Sequence, residues 1–104
     1  MRPRPILLLS DSVDQHSGLA RITRDLCTML SRNPRFRVGS LGLWGNTARS
    51  LPWAQYVIDQ RGGMWGQGDL PRVWRDFAGS QFGIVLTVWD PTRTLWMTTD
   101  AVAR

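Results

Sequence analysis

Asp11, Asp14 and His16 lie close together, immediately before Ser17-Gly18-Leu19. Histidine is the side chain whose charge changes near neutral pH, so His16 is a candidate general base or hydrogen-bond donor. Asp11 and Asp14 flank it, placed to orient the imidazole or to accept a hydroxyl group. A glycine entering a helix lets backbone come close to a ligand, where unpaired N–H groups and the helix dipole favour an anion. The amides of Ser17, Gly18 and Leu19 are therefore a candidate cradle for a phosphate. Blander readings compete: a solvated histidine, aspartates bonded to their own turn, and an ordinary strand-to-helix turn, since the three-glycine dinucleotide fingerprint is absent.

A second candidate region is Trp89-Asp90-Pro91. Trp89 offers a planar face that suits a sugar or a base, and Asp90 is the second candidate catalytic group beside His16. Trp44 is a comparable ligand-facing candidate, whereas Trp74 falls on an apolar helical stripe and is expected to pack. Two carboxylates and one histidine at these spacings imply no metal cluster, and no cofactor is called for. The single cysteine, Cys27, cannot form an internal disulfide.

The balance of charge narrows the partners. All thirteen basic residues are Arg and all eight acidic ones are Asp, for a net charge of +5. A guanidinium stays protonated and matches phosphate or carboxylate oxygens two at a time, which suits an anionic ligand. The blander reading, coding composition with the arginines on a solvated surface, is the one to beat, because net charge speaks to association and not to fold. With 42% hydrophobic and 20% charged residues among 104, the chain is too apolar for a disordered protein and of a size for one core. The apolar run Ile6 to Leu9 is far too short for a signal-peptide core or a membrane span, so a soluble cytoplasmic chain is expected.

These residues need elements to hold them. Pro5-Ile6-Leu7-Leu8-Leu9-Ser10 is apolar without alternation, the pattern of a central strand covered on both faces. Leu19, Ile22, Leu26, Met29 and Leu30 recur at helical spacing, predicting a helix from about Gly18 to Arg32 that buries this stripe, capped by Ser17 or Gly18 and stopped by Asn33-Pro34. Phe36 to Trp44 reads as a second strand and Trp53 to Ile58 as a short third. Gln60 to Gly68 is a glycine-rich loop. Asp69 is a natural N-cap for a short helix carrying Leu70, Val73, Trp74 and Phe77, ended by Gly79-Ser80. Phe82 to Trp89 is a last apolar strand, and Thr92 to Ala103 carries a weak helical signal. This order predicts an α/β fold, a Rossmann-like parallel sheet with flanking helices. Ligands in such sheets sit at the carboxyl ends of the strands, here Ser10 to Gly18, the loop after Trp44, and Trp89 to Thr94.

On these residues the chain resembles the N-terminal domain of a retaining glycosyltransferase of the GT-B fold, family 4-like. The resemblance rests on Ile6-Leu7-Leu8-Leu9-Ser10-Asp11, then Ser17-Gly18-Leu19-Ala20-Arg21 and the helix ending near Leu30, and on Ile84-Val85-Leu86-Thr87-Val88-Trp89-Asp90-Pro91. It implies a domain that mainly binds the acceptor, with Gly18 and Ser17 approaching the diphosphate of a nucleotide-sugar donor. Where many members carry His, this chain has Trp89. The family's paired-Glu donor motif belongs to a C-terminal domain, and no Glu occurs here. Residues 1–104 are accordingly expected to be a partial N-terminal half, the acceptor-side portion of a hexosyltransferase, inactive alone and lacking its C-terminal donor-binding domain.

Two other classes remain open. One is an Arg- and Trp-rich module that binds nucleic acid or another anion without catalysis, although the arginines are scattered and nucleic acid is the less expected partner. The other is a receiver-like domain built on Asp11 and Asp90, which would also need a lysine that the chain lacks.

Overall fold

The computed structural model describes residues 3–11, 17–43, 52–59, 63, 65–89 and 93. Strand β1 (Arg4–Asp11) is followed by helix α1 (Gly18–Ser31), strands β2 (Phe36–Leu43) and β3 (Ala54–Val57), helix α2 (Leu70–Ala78) and strand β4 (Ile84–Thr87). The four strands form one parallel sheet in the order β3-β2-β1-β4. This is the α/β, Rossmann-like arrangement that the strand and helix order predicts.

The uninterrupted Ile6 to Leu9 run places β1 between β2 and β4, where both faces are covered. Leu7, Leu8 and Leu9 are wholly buried, each such side chain contributing about 1.5–3 kcal/mol relative to exposure. Alternation divides them. Leu7 and Leu9 join Leu41, Leu43, Leu70, Val73 and Phe77 under α2, whereas Ile6 and Leu8 join Val38, Cys27 and Trp53 on the α1 side. Among the described residues the sheet is thus a middle layer with one helix on each face.

Two details of α2 follow from local chemistry. Gly79 ends the helix at φ 63° and ψ −124°, a positive-φ conformation that glycine adopts without a Cβ penalty. Gly39 on β2 lies against the Phe77 ring, where a Cβ would come within 2.8 Å of Cε1. The absence of a side chain at Gly39 is what lets α2 settle onto the sheet.

Three expectations need correction. Helix α1 does not bury the stripe of larger residues: Ala20, Thr23 and Cys27 face the sheet, while Ile22 and Met29 are 50% and 60% exposed and Leu19, Leu26 and Leu30 are half-buried. Small side chains permit a close approach to β1, and Thr23 finds a hydrogen-bond partner there, so the helix is rotated from its apolar centre. Asp69 occupies the cap position of α2 but makes no capping bond. Its carboxylate instead accepts from the Asp59 amide at 3.2 Å and from Arg72 at 2.8 Å, tying the chain after β3 to the helix. Finally, β4 is shorter than Phe82 to Trp89: Phe82 is 90% exposed ahead of the strand and Trp89 lies beyond it.

Candidate functional site

Successive strands run from β1 to β2 to β3 in one direction, and β4 then returns to pair on the other side of β1. The connections therefore diverge at the carboxyl ends of β1 and β4, the position where parallel sheets open a crevice for ligands. Asp11 is the last residue of β1, Ser17 and Gly18 open α1, and Trp89 follows β4. The first and third candidate segments of the sequence meet at this point.

Asp11 is the hub. Its side chain is 13% exposed. Ser17 Oγ donates to Asp11 Oδ2 at 2.7 Å, and Trp89 Nε1 donates to Oδ1 at 3.1 Å. The Arg93 guanidinium reaches the same Oδ1 at 3.5 Å, a long contact for a charge pair. Ser17 also accepts from the Ala20 amide at 3.0 Å, which makes it the N-cap of α1. One hydroxyl thus links the helix start to the carboxylate. A carboxylate offers about four lone-pair sites, and among the described residues three donors reach Asp11.

Aromatic rings build one wall. Trp65 and Trp89 meet edge to face at 5.8 Å between centroids, and the Arg93 guanidinium lies 4.7 Å from the Trp65 centroid and 5.7 Å from that of Trp89. Such cation–π contacts hold a guanidinium in place without neutralising it. Beneath the site, Thr23 Oγ1 donates to Ser10 Oγ at 2.8 Å, and Ser10 Oγ donates to the Val88 carbonyl at 3.3 Å. The Val88 amide donates in turn to the Leu9 carbonyl at 3.0 Å. This chain of bonds fixes α1, β1 and the segment leading to Trp89 relative to one another.

The predicted site residues divide into two groups. Asp11, Ser17 and Trp89 are joined by hydrogen bonds, and Gly18 and Leu19 form the first turn of α1 directly after the cap. His16, Asp14, Asp90 and Trp44 lie outside the described residues. Arg93 and Trp65 escaped sequence reasoning. Trp65 sits in a glycine-rich loop with no periodicity, and only the three-dimensional meeting of that loop with the end of β4 reveals it. Arg93 carried a usable signal, since it falls within the last strand-end segment.

Elsewhere, a hollow of about 620 Å³ lies between Ser31, Phe36, Val38, Trp53 and Phe77. It opens at the amino ends of the strands, away from Asp11, and Arg37 on its rim is engaged by Phe77 through its carbonyl and its ring. Among the described residues its lining contains no carboxylate, so the carboxyl-end cluster has the stronger claim to chemistry. Among the described residues no group of acidic, His and Cys side chains could hold a metal ion, and no helix is long and apolar enough to cross a membrane. No protein-family model, curated protein or solved structure matches the chain.

Proposed function

We propose that the crevice at the carboxyl ends of β1 and β4 binds a sugar, and that the chain is the acceptor-side portion of a GT-B-type glycosyltransferase moving a hexose from a nucleotide sugar to an acceptor. The observation that carries this reading is the Asp11 carboxylate, held by Ser17 and Trp89 beside two indole rings. A fixed carboxylate accepts sugar hydroxyls, and indole faces pack against the C–H faces of a pyranose. In this reading Asp11 and Trp89 contact the sugar, while the amides at Ser17, Gly18 and Leu19 approach the donor diphosphate at the positive end of α1. His16 and Asp90 are the proposed acid–base groups.

Transfer requires donor and acceptor to be held together, and half a cleft cannot align them. The chain alone therefore binds without turning over. Nucleic-acid binding has less support, because Arg37, Arg72 and Arg93 each engage a partner within the fold.

The test is a titration of tryptophan fluorescence in the purified chain with glucose, mannose and uridine-diphosphate glucose, paired with an assay for released hexose. Saturable quenching that Asp11→Asn abolishes, without hexose release, is the expected result. Absence of any saturable response, together with salt-sensitive binding of random oligonucleotides, would replace this reading with the anion-binding module.

A further inference from the structure

Asp11, Trp65 and Trp89, which would receive the sugar, already share one occupant. The Arg93 guanidinium lies over the Trp65 ring, 4.7 Å from its centroid and 5.7 Å from that of Trp89, and Arg93 Nη1 reaches Asp11 Oδ1 at 3.5 Å. A pyranose stacked on that face of Trp65 with a hydroxyl on Asp11 Oδ1 needs the space that the guanidinium fills. Sugar and Arg93 side chain therefore exclude each other at this spot.

The pair between Arg93 and Asp11 is one that can be exchanged. Its 3.5 Å separation lies beyond the usual hydrogen-bond range of about 2.7–3.2 Å. The two side chains are 31% and 13% exposed, and ion pairs open to water are weak. What replaces the pair depends on the charge of the ligand. A neutral sugar takes Asp11 with its hydroxyls and leaves the guanidinium without that carboxylate, so displacing Arg93 weakens its binding. A sugar carrying a phosphate gives the guanidinium a better partner, because the planar fork of Arg meets two phosphate oxygens at once. Asp11 is then released to the hydroxyls. Ser17, bonded to the other oxygen of Asp11, opens α1, whose amino end favours the same negative charge.

We propose that Arg93 sets the specificity of this crevice. It fills the place of the sugar until an anionic group on the ligand draws it aside, so phosphorylated sugars bind in preference to neutral ones. This selectivity rests on the sugar-binding reading and adds to it the class of sugar and the residue that selects it.

The experiment titrates the tryptophan fluorescence of the full chain with glucose, glucose 1-phosphate and inorganic phosphate, in the native sequence, Arg93→Ala and Arg93→Lys. The native chain binds glucose 1-phosphate about tenfold more tightly than glucose, the scale of one charge-assisted hydrogen bond, and more tightly than inorganic phosphate. Arg93→Ala tightens glucose and weakens glucose 1-phosphate, so the preference disappears. Arg93→Lys keeps the charge without the fork and retains a smaller preference; it carries the test if Arg93→Ala fails to fold. A preference unchanged in either variant, or absent from the native chain, would overturn selection by Arg93 and leave the sugar-binding reading standing. So would inorganic phosphate binding as tightly as glucose 1-phosphate, with neutral glucose still bound. No saturable response to either sugar in any of the three chains would end both.

Discussion

The Ser17 hydroxyl donates to Asp11 and accepts from the Ala20 amide, so the start of α1 and the end of β1 depend on one oxygen atom. Ser17→Ala removes both bonds. Loss of an N-cap typically costs about 0.5–2 kcal/mol, and the decrease should appear as a lower midpoint in urea. Ser17→Thr keeps the oxygen and should recover most of it. Equal destabilisation by the two substitutions would rule out the hydroxyl as the connection.

Asp69 and Arg72 share an ion pair but differ in environment, with side chains 3% and 63% exposed. Removing the exposed partner, in Arg72→Ala, should change stability by no more than about 1 kcal/mol, as for other surface pairs. Asp69→Ala also strips the Asp59 amide of its acceptor, and loss of a buried partner costs about 1–3 kcal/mol. Parallel denaturation curves of the two variants measure the difference; equal losses would contradict the structural role of Asp69.

Gly39→Ala tests the seat of α2. The added Cβ meets the Phe77 ring at 2.8 Å, and overpacking of this kind costs about 1–3 kcal/mol. Combining it with Phe77→Leu should return part of the loss, because the ring edge is then gone. A double-mutant cycle gives the coupling, and strict additivity would show that the contact does not matter.

The pH response is set on the alkaline side. Burial pushes the Cys27 thiol from its ordinary 9.0 up to about 12, and burial together with the Asp76 carboxylate pushes the Tyr56 phenol from 10.0 up to about 12. Between these values the folded chain holds protons that the unfolded chain releases. Stability from these groups is therefore complete below pH 9 and falls as pH rises from 9 towards 12. Melting temperature measured across that range should decline, with a shallower onset in Cys27→Ala. At pH 8 the native thiol should resist alkylation that proceeds readily in urea; equal alkylation rates in both would place Cys27 outside the core.

Much of the architecture was legible because two patterns are strong. An apolar run without alternation identified β1 as a strand covered on both faces, and helical spacing followed by Asn33-Pro34 located α1 to within a residue of its end. What the pattern could not supply was the rotation of α1. Periodicity ranks positions by hydrophobicity, whereas Ala20, Thr23 and Cys27 face the sheet because they are small and because Thr23 meets Ser10. At the site, Asp11, Ser17 and Trp89 were legible from their places at strand ends and a helix start. The bond from Trp89 to Asp11 joins the ends of two neighbouring strands far apart in sequence, and Trp65 and Arg93 join them only through tertiary packing, which no local spacing encodes.

Strand β4 carries no charged residue, and among the described residues no strand lies beyond it. Ile84 and Leu86 are half-open to solvent on the side where α1 leaves Ile22 and Met29 uncovered. Mutual repulsion between copies of net charge +5 should then keep concentrated solutions clear at low ionic strength. Salt shortens the reach of that repulsion to about 8 Å at 0.15 M, so turbidity on adding salt, relieved by Leu86→Lys, is the expected handling behaviour.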